Sequence, residues 1–392
     1  MDFFDVKYYR INKNLLKICG LWPFQSYTTK CFAVTFLACS YISLLIPQMI
    51  CYIKLWGESL DGIMVRTLPL LTTLLYAIKL LTCILSSDKI KNILNTMKSH
   101  WELISSEPEF DQFLKQAQIG RDCSIIYIGY IGLTTIFYLC MPLIPCLIDQ
   151  IAPLNETRER IFIYELDYGV EDNRDYFYWI QLHIFISAFS KIIPPVGFDT
   201  LFLIFTQHAS GIFFALGNKL KNINKNIPKA INSVEEEDII SQEISKCVER
   251  HCIGLEFISS IESLFAISYL LQILTTVVII SLIGILVLIN LDKPHEAVRF
   301  VLFVVAHMFS LFYLSLSSQR LTDNTCLLFD NIYFSRWYNM PLKCRKMLLQ
   351  IMMKTKDSCK ITAAQIYVMD IESFSGMIRA SMSYFTMLSS MR

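Results

Sequence analysis

Residues 263–291 read SLFAISYLLQILTTVVIISLIGILVLINL, a run of 29 side chains without one Asp, Glu, Lys or Arg. About 20 such residues cross the hydrocarbon of a bilayer as a helix, the form in which a single segment satisfies all its backbone polar groups internally. Two further runs are as clean, Cys31–Ile53 with 23 residues and Cys123–Ile148 with 26. Four weaker segments extend the set. Thr67–Ser87 is interrupted only by Lys79, and Phe300–Gln319 is 20 residues without charge. Tyr176–Phe205 contains Lys191, Asp199 and Pro194-Pro195, and Ser373–Met391 contains Arg379. The pattern predicts an all-α integral membrane protein with seven transmembrane helices.

Composition agrees. Over 392 residues the chain is 54% apolar and 18% charged, where soluble domains carry about 25% charge. Thirty-five bases and 34 acids leave a net charge of +1, so nothing draws the whole molecule to nucleic acid. The bases are nevertheless unevenly placed. The N-terminal segment holds five, the second loop five, the fourth six and the sixth eight. The alternate set (Lys54; Arg158, Arg160 and Arg174; Lys293; Arg392) holds one, three, one and one. Twenty-four against six places the N-terminus in the cytoplasm and the C-terminus outside. The only Asn-x-Ser/Thr sequon, Asn155-Glu156-Thr157, falls in a loop this topology puts outside, which makes Asn155 the candidate glycosylation site.

Residues 1–30 are polar and basic, with no cleavable signal peptide evident. The thirteen cysteines are scattered and none lies in the external third loop, so a disulfide framework is not expected. That loop, Asp149–Asp175, holds eight acids against three bases and reads either as a solvated loop or as a negative external rim. On the cytoplasmic side apolar spacing continues past the membrane. Leu201, Phe205, Ile212 and Leu216 extend the fourth span until Asn226 and Pro228. Ile240, Ile244, Val248, Leu255 and Ile258 precede the fifth, and Leu321, Leu328 and Ile332 follow the sixth. Helices that leave the membrane with an apolar stripe must bury it. Cytoplasmic helical extensions of spans four to seven follow, suited to subunit contact or to packing within the chain.

Chemistry is scarce. The six histidines form no HxxxH pair, and His251-Cys252 with Cys247 is the nearest approach to a metal-ligand grouping. No Walker loop, GxGxxG or GxSxG occurs, so neither an enzyme nor a cofactor is expected. Among intramembrane charges, Lys79 reads as snorkelling to the cytoplasmic interface, and Arg379 must face a wet cavity, a partner or the interface. Lys191 and Asp199 flank Pro194, Pro195 and Gly197, a segment read as a structural break rather than an ion site. The outer halves of the spans offer a mostly apolar cavity with a few polar groups, the usual form of a small-molecule site. Candidates are Met64, Leu68, Leu71, Thr72 and Leu75 on span two and Phe137, Tyr138 and Met141 on span three. Tyr178, His183, Ile186 and Ser187 on span four and Phe303, Val304 and His307 on span six complete the set.

The C-terminal third is more specific. It runs Tyr333-x3-Trp337-Tyr338-x2-Pro341, Lys343-Cys344-Arg345-Lys346 and Leu348-Leu349-Gln350-Ile351-Met352-Met353. It closes on Glu372-Ser373-Phe374-x4-Arg379-Ala380-Ser381-Met382-Ser383-Tyr384-Phe385-Thr386-Met387-Leu388. This resembles the C-terminal signature of insect odorant receptors, and Pro195-Val196-Gly197-Phe198-Asp199-Thr200-Leu201 is similar to that family's Pro-x-Gly-x-Asp-x-Leu element. Met382, where the family often has Tyr, and Gly376, where it often has Lys, depart from the pattern.

The resemblance implies an odour-tuning subunit of a non-selective, ligand-gated cation channel in the plasma membrane of olfactory neuron dendrites. Its partners would be a small hydrophobic odorant, the bilayer and a shared co-receptor within a tetramer. Residues 1–30 would be a cytoplasmic segment, and 31–205 would carry spans one to four (31–53, 67–87, 123–148, 176–205) and the ligand pocket. Residues 206–262 would be a cytoplasmic extension, 263–319 spans five and six, 320–372 anchor helices and 373–392 a pore-lining span. Matching the co-receptor's ending from Tyr384-Phe385 places the gate at Met387 and Met391, with Ser390 at a polar pore position. Residues 387 and 391 share a helical face, and rings of thioethers could close a pore by excluding water. The alternatives are a gustatory-type receptor channel, which the span-seven wording disfavours, and a G-protein-coupled receptor, which needs the opposite orientation. A transporter would show an internal repeat, and none is visible.

Overall fold

A computed structural model describes residues 3–54, 60–152, 158, 160–222, 234–356 and 359–390. Two short N-terminal pieces lead in: a helical turn at Phe3–Asp5 and α1 (Arg10–Ile18). The helices that follow are α2 (Tyr27–Lys54), α3 (Leu60–Leu85), α4 (Ser87–Ile104), α5 (Phe110–Cys140) and α6 (Leu143–Ile151). Then come α7 (Phe177–Asn222), α8 (Val234–Ile289), α9 (Pro294–Tyr333), α10 (Leu342–Lys356) and α11 (Ile371–Ser390). Six of these, α2, α3, α5, α7, α8 and α9, are long and apolar enough to cross a membrane. The shorter α11, which carries Arg379, is the seventh of the seven-helix membrane fold.

α7 is the central helix, buried along most of its 46 residues. The expected break at Pro194-Pro195 is absent, and the helix runs straight through both prolines. Proline 195 cannot donate to the carbonyl four residues earlier. That carbonyl, on Lys191, instead accepts the Tyr41 hydroxyl of α2 at 2.9 Å. Helix α1 packs over the same turn, with Leu16 against Gly197 where a Cβ would already meet it at 3.2 Å. Neighbouring elements therefore satisfy the turn that proline leaves open.

At about 1.5 Å per residue, α7, α8 and α9 span about 69, 84 and 60 Å, far beyond a hydrocarbon layer of about 30 Å. Their excess forms the cytoplasmic bundle with α4 and α10. Phe205, Ile212, Leu216, Ile240, Ile244, Leu321, Leu328 and Ile332 are all buried there within the one chain. Of the two readings of the apolar stripes, packing within the chain is the one observed. The third predicted span is also redrawn: its helix begins at Phe110 rather than Cys123 and ends at Cys140, with Pro142 opening the separate α6. The segment expected to hold only anchor helices contains a small hairpin, Thr362–Ala363 paired with Tyr367–Val368. Ala364 and Gln365 turn it at φ of 54° and 58°, and Glu262 of α8 accepts the Thr362 amide at 3.1 Å.

Candidate functional site

The outer part of the helix bundle contains an open-sided chamber, with about 720 Å³ of unfilled space between its walls and across its open side together. Four helices wall it: α3 with Pro69, Thr72, Thr73 and Tyr76; α5 with Thr134, Thr135, Tyr138 and Leu139; α7 with Ala188, Lys191 and Ile192; α9 with Leu302, Phe303, Ala306 and His307. Tyr164, from the segment before α7, borders it as well.

That segment is more than the solvated or acidic loop its charge suggested. Ile163 and Leu166 are buried against Leu44, Leu139, Ile180 and Ile184, and the Asp167 amide donates to the Pro47 carbonyl at 3.2 Å. Two of its acids are paired with residues of the spans, Glu165 with Arg66 and Asp167 with Lys54 at 2.6 Å. Above the chamber it forms one side of a vestibule that also involves Arg66, Arg299, Tyr138 and Phe303. Asn155, the candidate glycosylation residue, lies outside the described residues.

Below the chamber, a deeper compartment shares Tyr76, Thr134, Thr135, Ile192, Ala306 and His307 with it. Its floor is an ion pair. Lys79 Nζ of α3 lies 2.6 and 2.8 Å from the two carboxylate oxygens of Asp199 on α7. Tyr127 of α5 donates to Asp199 Oδ2 at 2.7 Å, with Ser310 of α9 2.7 Å from the same hydroxyl, and Gln272 of α8 donates to Ser310 at 3.1 Å. Lys79 is 2% exposed. It therefore does not snorkel: a charge this deep is retained only with a partner and further hydrogen bonds, and Asp199 supplies them. One network joins all five of α3, α5, α7, α8 and α9.

Of the sequence candidates, Thr72, Tyr138, Phe303 and His307 line the chamber. Leu68 borders the vestibule and Leu75 the deeper compartment. Met64, Leu71 and Val304 pack instead into an apolar cluster with Ile279, Ile283 and Phe300. Phe137 is exposed because its neighbour Tyr138 faces inward, and adjacent helical residues point about 100° apart. Tyr178 and Ile186, with Leu182 between them, form an exposed stripe at i, i+4 and i+8, on the outside of α7 beside a shallow groove. His183 is bound to Ser43 at 3.0 Å and Tyr168 at 2.7 Å, Ser187 is buried away from these cavities, and Met141 is half-buried just past α5. Thr73, Tyr76, Thr134, Thr135, Tyr164 and Lys191 were not among the candidates. The alternation Ile163-Tyr164-Glu165-Leu166 was the available signal for Tyr164.

At the other end of the chain, α11 packs through Phe374, Met377 and Ser381, which are buried. Phe385 presses on Gly284 of α8, where a Cβ would come within 2.5 Å of its ring. Tyr384 and Met387 point away from the chain at 52% exposure each, and Ser390 is exposed beside them. Met391 lies outside the described residues. Among the described residues no group of His, Cys, Asp or Glu is arranged to hold a metal.

A bundle of membrane helices around an internal chamber, floored by the Lys79–Asp199 ion pair, defines a polytopic membrane protein with a cavity of small-molecule type. The chain belongs to the 7tm Odorant receptor family, whose model matches residues 59–382. It is 19% identical over 269 residues to Odorant receptor 13a of Drosophila melanogaster, covering 65% of this chain and 63% of that protein. It is 25% identical over 131 residues to Putative odorant receptor 85d of the same fly, covering 33% and 32% of the two. Its fold matches the insect olfactory receptor OR5 from Machilis hrabei with a TM-score of 0.74 over 98% of each chain, at 15% identity. The structure of that receptor in complex with eugenol matches with a TM-score of 0.75 at 14% identity, over 98% and 97% of the chains.

Proposed function

We propose that this receptor binds small, largely apolar volatiles in the chamber between α3, α5, α7 and α9, and that binding opens a cation channel formed with a co-receptor in a tetramer. The observation that carries the reading is the chamber's position. It adjoins a vestibule bordered by Arg66 and Arg299 and ends on a polar network tied to all the helices around it. A ligand that binds one arrangement of those helices more tightly than another shifts the population between them. Apart from the third, whose helix ends at Cys140, the crossing segments are taken as read from the sequence, with 373–392 lining the pore. Its gate is Met387 and Met391, flanked by Tyr384 and Ser390. Support comes from α11, which anchors one face on α8 and α9 and leaves a partly apolar second face uncovered. The Machilis receptor of the same fold binds eugenol, a small aromatic, which supports a small organic ligand here.

Ala306, at the neck shared by the two compartments, offers the test. Ala306→Phe fills the neck, and odour-evoked current should fall by an order of magnitude or more at unchanged surface expression. Unaltered responses across a volatile panel would place the ligand elsewhere.

A further inference from the structure

Lys191 lies on the chamber wall at 6% exposure. It is the one charged residue among those lining the chamber. Its ammonium has three donors, and one goes to Thr73 Oγ1 at 3.1 Å. Among the described residues no carboxylate is paired with it, and the acids bordering the connected cavities are engaged elsewhere, Asp199 by Lys79 and Glu165 by Arg66. The chamber's threonine hydroxyls are spent on their own helices. Thr72 donates to the Leu68 carbonyl at 3.0 Å, Thr134 to Tyr130 at 2.8 Å and Thr135 to Ile131 at 2.7 Å. Thr73 likewise donates to the Pro69 carbonyl at 2.8 Å, which leaves its oxygen free to accept from Lys191.

A buried cation without a counter-charge is the costliest group such a site can hold, and an anion placed beside it removes the cost. Charge-assisted hydrogen bonds from an ammonium to a carboxylate are also stronger than those to neutral acceptors. We propose that the chamber selects a compact organic carboxylate with an apolar tail, its oxygens on Lys191 Nζ and its tail against Leu139, Ile192 and Phe303. This rests on the receptor reading above and narrows its ligand class.

The test is a paired panel applied to cells expressing the receptor with a co-receptor. Hexanoate and phenylacetate are each compared with the alcohol and the hydrocarbon of the same carbon skeleton. The wild type should respond to each acid at a half-maximal concentration at least about tenfold below that of its alcohol, equivalent to about 1.4 kcal/mol. Lys191→Met should erase that preference, with surface labelling of the cells reporting that the variant is folded and delivered. Lys191→Gln repeats the comparison should the methionine variant fail to reach the surface, and Lys191→Arg should keep the preference for acids. Acids no more potent than their alcohols in the wild type would overturn the inference and leave the receptor reading intact. So would a preference that survives in Lys191→Met or Lys191→Gln. Silence to the whole panel and to a wider set of volatiles, with the protein at the surface, would remove the receptor reading and this inference with it.

Discussion

Asp199 shows how much a single side chain can hold. Its two oxygens are met by Lys79 from α3 and Tyr127 from α5, with Tyr269 of α8 at 3.5 Å. Removing one partner of a buried pair leaves the other charge uncompensated, which costs about 3–5 kcal/mol. Asp199→Asn should therefore lower the melting temperature of the detergent-solubilised receptor sharply, and Lys79→Met should do the same. The double variant Lys79→Met/Asp199→Leu should recover most of the loss, because an apolar pair of similar volume needs no counter-charge. Single and double variants that melt alike would show that the pair is not coupled. The sequence displayed both charges and assigned neither correctly. They stand 120 positions apart, and periodicity along one helix says nothing about its neighbour. In the sequence Lys191 reads as part of a structural break and not as a chamber residue for a related reason, since its environment is made by Thr73 on another helix.

At the scale of elements, long apolar runs with charged ends were legible, and the helices α2, α3, α7, α8 and α9 follow from them. What was not legible is where proline acts. Pro194 and Pro195 leave α7 unbroken because Tyr41 takes the freed carbonyl, while Pro142 separates α5 from α6. The joint between α4–α5 and the extensions of α7 and α8 depends on charge. Burial of Glu107 favours its neutral form, but donors on Arg250 and Lys219 outweigh this and lower its pKa below the usual carboxylate range. Burial likewise opposes the Lys219 charge, and Glu107 and Glu243 raise its pKa regardless. The Glu107 contribution is thus fully present above the ordinary carboxylate value of about 4.3 and is lost as pH falls through the depressed folded value. The Lys219 contribution is present below the ordinary lysine value and is lost as pH rises through the raised one. Melting curves of the wild type should drop on acidification through that lower window more steeply than those of Glu107→Gln; equal slopes would contradict the assignment. On α11 the exposed Met387 belongs to the proposed gate. Met387→Ala should raise basal conductance or alter evoked conductance in the assembled channel, and currents identical to wild type would move the gate off this face.

For the whole molecule, charge sidedness was the most informative sequence feature. Twenty-four loop and terminal bases against six orient the bundle, and the structure adds Arg66 and Arg299 to the external side without reversing the bias. The long helices extend from a chamber near the outer face to a cytoplasmic bundle whose apolar stripes are buried within one chain. Helix α11 packs on α8 and α9, so on the proposed reading a displacement set by ligand among α3, α5, α7 and α9 would reach it through α9. The chamber and α11 thus share one helix, α9, which the proposed ligand gating would use as its link. The most direct test is whole-cell current from cells expressing this chain alone and with an odorant receptor co-receptor, recorded across a panel of volatiles. The account predicts an odour-evoked, non-selective cation current in the co-expressing cells that follows ligand addition without a G-protein step. No evoked current in either condition, with the protein present at the cell surface, would contradict it.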